Sequence, residues 1–251
     1  MKARSNWQGM INIAQFNWPF YVASIAALLA SLLGLFLLPE FTLKLGCGLI
    51  FAIAVYFLFG SLGVSHLIYD CSDLYHWGWL NRALSGSNIN QAIFCHSGFD
   101  ETSVELRQQI RTATWQVLDH FDANQMTEAS IHRARAMFPP TPGTLSSPYN
   151  AWPVAAESVD VVFGLLAIHE LRSEGERSAW FAEATRCLRK GGRLVLVEHV
   201  RDAANFLAFG PGFLHFHSVA SWRRCWESAA FSSVDEFRLT PFVRIFVLLA
   251  P

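Results

Sequence analysis

Charge is scarce in this chain. Lys, Arg, Asp and Glu make up 16% of its 251 residues and sum to a net charge of −1, where an ordinary soluble domain carries about 25% charged residues. So little charge in so apolar a chain excludes a disordered protein. With no basic excess and no basic patch, nucleic acid is not an expected partner. Cysteine is also sparse. Five residues without paired spacing exclude a disulfide scaffold. Apolar residues fill the gap at 52%, and where they sit decides what they do.

The surplus lies at the N-terminus. No charged residue occurs from Ser5 to Pro39, and Trp18 to Leu38 is apolar but for Ser24 and Ser31. About 21 residues suffice to cross a hydrocarbon core as a helix. A second charge-free run extends from Leu45 to Tyr69. The expected spans are 18–38 and 45–67, joined by Pro39–Lys44 as a hairpin with both ends on one side. A cleaved signal peptide has a shorter apolar region that begins close to its basic start. Two buried helices of a soluble protein are the alternative. Lys2, Arg4 and Arg82 flank the hairpin and Lys44 alone lies in the link. That bias predicts that the rest of the chain faces the cytoplasm, and the expected location is a bacterial-type inner membrane. Trp7, Trp18, Tyr21, Tyr69, Tyr75, Trp77 and Trp79 suit an interfacial aromatic belt on that side.

The expected division is a hairpin and interfacial junction over 1–84 and a domain over 85–251. Ser85–Asn88 reads as a linker, so the domain is expected to fold without residues 1–84. Strand-like runs at 91–95, 115–121, 159–166 and 193–199 alternate with helical patterns at 101–112, 126–138 and 174–189. A short helix at 221–230 precedes two closing strands at 234–239 and 242–249. This alternation predicts an α/β fold with a mostly parallel sheet. Such sheets bind ligands beyond the carboxyl ends of their strands.

At the end of the second span, His66, Tyr69, Asp70 and Asp73 share one helical face. Ionisable residues at that depth are functional candidates. They would line an entry for an acceptor, with Tyr69 and Asp70 as the contacts, or lock the hairpin to the domain. Further on, Asn205–His217 is apolar, carries Gly and Pro, and reads as a loop. Beside a membrane hairpin it suits contact with lipid or a lipophilic substrate. His215 and His217 alternate, but no Cys or clear third ligand accompanies them, and no metal site is expected.

The segments Glu157-Ser158-Val159-Asp160-Val161-Val162-Phe163-Gly164 and Cys187-Leu188-Arg189-Lys190-Gly191-Gly192-Arg193-Leu194-Val195-Leu196-Val197-Glu198 resemble class I S-adenosylmethionine-dependent methyltransferases. The resemblance covers roughly residues 89 to 250. It implies a Rossmann-like sheet with an antiparallel last strand, and S-adenosylmethionine as cofactor. The family's glycine-rich loop would fall at His96–Ser103, where only Gly98 is glycine, and His96 and Gly98 would face the cofactor. The acid that holds the ribose would be Asp119 or Asp122, with Asp122 preferred. Asn150 and Ala151 would lie at the adenine. His169 would be the base, oriented by Glu170. Phe209, Phe213 and His215 would shape the acceptor site.

Two functions follow. One is a membrane-anchored methyltransferase for a lipophilic acceptor at the lipid bilayer. The other is a non-catalytic, methyltransferase-like subunit that assembles with other membrane proteins. A domain for another nucleotide is a third reading, without its fingerprint here.

Overall fold

A computed structural model describes residues 4–251; Lys2 lies outside them. The chain begins with α1 (Gln8–Phe16), a helix the sequence pattern does not announce. Next come α2 (Trp18–Leu37) and α3, which runs from Phe41 to Cys71. Three residues, Leu38–Glu40, separate them. Both helices are long and apolar enough to cross a membrane, and few of their side chains are buried within the protein. The two pack closely. A Cβ on Gly34 would lie 2.5 Å from Cys47 Sγ, and the Tyr21 hydroxyl bonds Ser61 Oγ at 3.1 Å. Helix α3 outruns its expected end by about one turn, widening into π-helical turns at Tyr56–Gly60 and Leu67–Cys71.

The rest of the chain builds one sheet. Its strands are β1 (Gln91–His96), β2 (Thr114–Asp119), β3 (Thr144–Ser146), β4 (Val159–Leu165), β5 (Leu188–His199), β6 (Ser232–Thr240) and β7 (Val243–Leu249). Their order is β3-β2-β1-β4-β5-β7-β6. The first five pair in parallel, and β7 runs antiparallel between β5 and β6. The connecting helices are α4 (Ser103–Gln109), α5 (Ala129–Met137), α6 (Glu174–Cys187), α7 (Ala203–Phe209) and α8 (Val219–Ser228). The expected α/β sheet with an antiparallel last strand is therefore present.

Side chains alternate across the strands. Ile93, Cys95, Val162, Leu194 and Leu196 face α6 and α8, where Trp180, Phe181, Trp222 and Trp226 are buried. Ala92, Phe94, Val161, Phe163, Val195 and Val197 face the other way. That second face is covered by Leu106 of α4 and by Ile68, Leu74, Trp77, Trp79, Leu80 and Ala83. The residues read as an interfacial belt are thus partly core. The packed layer crosses the expected 84/85 boundary, so removing residues 1–84 would strip one face of the sheet.

Two local differences have simple causes. Helix α6 opens with a capping box, Ser173 with Glu176, and stops at Cys187. Lys190-Gly191-Gly192 is therefore not its C-terminal stop but a turn within β5, where Gly191 has φ +73°. Asn205–His217 is not a loop either. It forms α7, capped by Asp202 on Asn205 N–H, and a 3-10 helix over Gly210–His215.

Candidate active site

Sheet order reverses between β1 and β4, and a cavity of about 840 Å³ opens at their carboxyl ends. Phe94, Leu165, Leu166 and His169 form its sheet wall, and α1 forms the opposite wall with Gly9, Asn12, Ile13 and Phe16. Phe20 and Tyr21 of α2 and Phe57 and Ser61 of α3 continue it between the apolar helices. Phe209, Leu214, His215 and Phe216 close a third side.

Helix α1 is held across the opening by carboxylates. Asp70 accepts the N–H groups of Gly9 and Met10 at 2.7 and 3.0 Å. His66 Nδ1 bonds the same carboxylate at 3.0 Å. Asp70 is thus spent on locking α1 to α3 and does not line the cavity. Glu101 takes Asn12 at 2.9 Å and Tyr75 at 3.0 Å, and pairs with Arg4.

Near the end of β5, Glu198 organises the polar centre. It is fully buried. One oxygen accepts the N–H groups of Ile168 and His169 at 2.9 and 3.2 Å, and the other bonds His169 Nδ1 at 2.6 Å. A carboxylate can only accept. Nδ1 therefore donates to Glu198, and Nε2 is the ring nitrogen turned toward Glu170. The orienting partner of His169 is Glu198, not Glu170. Glu198 was legible as the last acid of the β5 motif, but its reach back to His169 is a long-range contact.

His215 lies against the same centre. Its Nδ1 is 2.8 Å from Glu128 and its Nε2 is 3.4 Å from Glu170. Burial alone would push its pKa down; the two carboxylates outweigh burial and hold it at about 9. Glu128 is a site residue that the sequence reading missed. It sits at the N-cap position just before α5, and nothing local marks it. Tyr69 also lines the cavity, and its hydroxyl bonds Nε2 of His199 at 2.9 Å. His199 Nδ1 donates to the Phe242 carbonyl at 3.0 Å, and burial pushes this imidazole down to about 4. His199 is thus the neutral acceptor of the Tyr69 proton. Phe209 lines the cavity; Phe213 packs edge-on against Phe206 outside it.

The corner between β1 and β2 is more closed. His96 is fully buried, and neither of its ring nitrogens has a hydrogen-bond partner. Burial lowers its pKa. Gly98 turns the chain at φ +95°, and a Cβ there would meet Phe121 at 2.7 Å. Asp119, rather than Asp122, ends β2. It accepts Gly98 N–H at 2.9 Å, Phe121 N–H at 3.0 Å and Arg135 at 2.5 Å. Asp122 serves the following turn, accepting Asn124 N–H at 2.9 Å. Asn150 and Ala151 are exposed after β3, next to the buried Trp152.

A family model described as a methyltransferase domain matches residues 110–196. An S-adenosylmethionine-dependent methyltransferase from Aquifex aeolicus superposes with a TM-score of 0.53, over 72% of this chain and 90% of its own, at 13% identity. One from Methanosarcina mazei gives 0.50, over 69% and 97%, also at 13% identity. The [4+2]-cyclase SpnF gives 0.52, over 73% and 82%, at 11% identity. No curated relative matches the chain. The sheet domain has the class I methyltransferase fold. The family match and this fold point to S-adenosylmethionine as its cofactor.

The sheet domain offers that cofactor a mixed site. The cavity reaches the β1 and β4 ends and carries Glu101, Glu128 and Glu170 with Tyr75, Phe94 and Phe99, which suits a sulfonium cation. Asp119 stands where the family holds the ribose, and Arg135 takes the outward oxygen. The cationic end thus fits the open cavity. A ribose held at Asp119 would share that carboxylate with Arg135.

Proposed function

We propose that the protein transfers a methyl group from S-adenosylmethionine to a lipophilic acceptor at a membrane. One observation carries this reading: a single cavity joins the β1/β4 switch point to the space between two apolar helices. An acceptor entering from a bilayer between Phe20, Tyr21 and Phe57 would arrive at His169 without crossing water. Exposed Phe206, Leu207 and Leu214 lie next to the hairpin, where the Tyr56 hydroxyl donates to the Leu207 carbonyl. An apolar surface in that place suits lipid contact. On this reading α2 and α3 anchor the chain in a bacterial-type inner membrane and the methyltransferase domain faces the cytoplasm, following Arg4 and Arg82.

S-adenosylmethionine supplies an electrophilic methyl group on a sulfonium. The protein's part is to place the acceptor in line, which contributes several kcal/mol, and to take up a proton where the acceptor is a phenol or hydroxyl. His169 Nε2 is the atom for that, since Nδ1 is committed to Glu198. Gly98, Asp119 and His96 would lie on the cofactor side, and Tyr69, Phe209 and His215 on the acceptor side.

A second reading rests on the Arg135–Asp119 contact and the single glycine of the loop. Both suit a non-catalytic domain in a membrane complex. The test is methyl transfer from labelled S-adenosylmethionine to a panel of hydrophobic phenols, quinols and lipids beside water-soluble analogues. Label in the hydrophobic products alone supports the first reading. No label in any product, from folded protein, supports the second.

A further inference from the structure

We infer that His169, Glu170 and His215 form a mononuclear site for a divalent transition-metal ion. One ligand atom from each of the three lies within 4.8 Å of the others. Nε2 of His215 is 3.4 Å, and Nε2 of His169 is 3.7 Å, from the same Glu170 oxygen. Ligands on a tetrahedral ion with bonds of about 2.0–2.1 Å stand about 3.3 Å apart. The three atoms are therefore close to coordinating distance before any ion enters.

The supporting contacts favour an ion over a simple ion pair. Each histidine gives its Nδ1 side to a different carboxylate: His169 to Glu198 at 2.6 Å, and His215 to Glu128 at 2.8 Å. Both Nε2 atoms are thereby turned toward Glu170. Metal-bound histidines almost always carry such a partner on the other ring nitrogen, which fixes tautomer and ring direction. Glu198 is itself fixed, being fully buried and holding the N–H groups of Ile168 and His169. Arg172 ties the two ligand segments together by donating to the carbonyls of His169 and His215 at 3.3 and 2.5 Å.

Charge points the same way. An entering ion displaces the proton that His215 holds between Glu128 and Glu170; Glu128, Glu170 and Glu198 against Arg172 then leave two negative charges, and a dication balances them. Two imidazoles and one carboxylate match a site for zinc or ferrous iron with open positions, rather than an all-oxygen calcium or magnesium site. His217, the histidine paired with His215 in the sequence, is not a ligand, because it bonds Arg177 and the His169 carbonyl. The other two ligands, His169 and Glu170, come from the turn after β4, about forty-five residues upstream. All three ligands line the cavity, so the remaining positions face the place of the acceptor. Coordination takes the lone pair of His169; in the loaded protein that residue is a ligand and water or acceptor oxygen meets the ion. Only this last link depends on the methyl-transfer reading.

The test is calorimetric titration of Zn2+ and Co2+ into the full chain in detergent after stripping with a chelator. One equivalent is expected, with the visible Co2+ spectrum of nitrogen and oxygen ligands. His215→Ala and Glu170→Gln should each abolish stoichiometric binding. Glu198→Gln should weaken it by about 10–100-fold while keeping the stoichiometry. Thermal melts of each variant identify any that fail to fold, and Glu128→Gln, at an exposed position, gives a milder variant with weakened binding. The inference is overturned by wild-type protein that melts cooperatively and binds no equivalent. It is equally overturned by undiminished binding in folded His215→Ala, which would place the ion elsewhere. Neither result depends on whether S-adenosylmethionine binds.

Discussion

Arg135 NH1 lies 2.5 Å from Asp119, on the carboxylate oxygen not used by the N–H groups of Gly98 and Phe121. The residue that should hold a ribose is thus already held by the protein. Arg135→Ala should raise affinity for S-adenosylmethionine, by about threefold or more, because a charged hydrogen bond of about 1.5–3 kcal/mol no longer competes. Asp119→Asn should lower affinity at least about tenfold, and Asp122→Ala should change it little. Calorimetry on the three variants checks this. The opposite ranking of Asp119 and Asp122 would move the ribose contact to the turn.

Glu198→Gln leaves His169 without a carboxylate for Nδ1–H. Turnover should fall at least about tenfold, with cofactor affinity nearly unchanged. His169→Ala should do the same. Initial rates beside binding constants decide it: loss of affinity in proportion to turnover would make the pair a scaffold for the cofactor instead.

Removing residues 1–84 should abolish cooperative folding. Leu74, Trp77, Trp79 and Leu80 are nearly fully buried against the sheet. Each contributes about 1.5–3 kcal/mol by burial, and together they approach the whole stability of a domain, about 5–15 kcal/mol. Circular dichroism melts of residues 85–251 and of the full chain test this. A sharp transition at an unchanged temperature in the shorter chain would contradict it.

Stability should fall between pH 6.5 and pH 4. Burial pushes the imidazoles of His120 and His199 down to about 4. In the unfolded chain they titrate near 6.5. The unfolded state binds the extra protons, so the contribution of these two groups is complete above pH 6.5 and is lost as pH falls toward 4. Each unit of difference is worth about 1.4 kcal/mol per group. Urea midpoints across this range check the sign. In His120→Phe, which stays apolar beside Trp152, the slope should be smaller; an unchanged slope would remove His120 from the account.

Local pattern made every strand but the three-residue β3 readable, while the order of the strands in the sheet comes from the fold. Val161–Leu165 and Leu194–Val197 are apolar without interruption because both faces are buried. The same local reading failed where a contact crosses the chain. Trp77 and Trp79 looked interfacial because their partners, the strands, lie later in sequence. Helix α1 escaped because its first N–H groups are capped by Asp70, about sixty residues on. His169 and His215 could be singled out one at a time. That they converge on Glu170, with Glu128 and Glu198 behind them, is a property of the fold.

The most direct test of the central claim is calorimetric titration of S-adenosylmethionine into the full chain in lipid nanodiscs. The account predicts saturable binding of one equivalent, weakened in Asp119→Asn. No heat of binding, from protein that melts cooperatively in the same discs, would contradict the enzyme reading and leave the non-catalytic one.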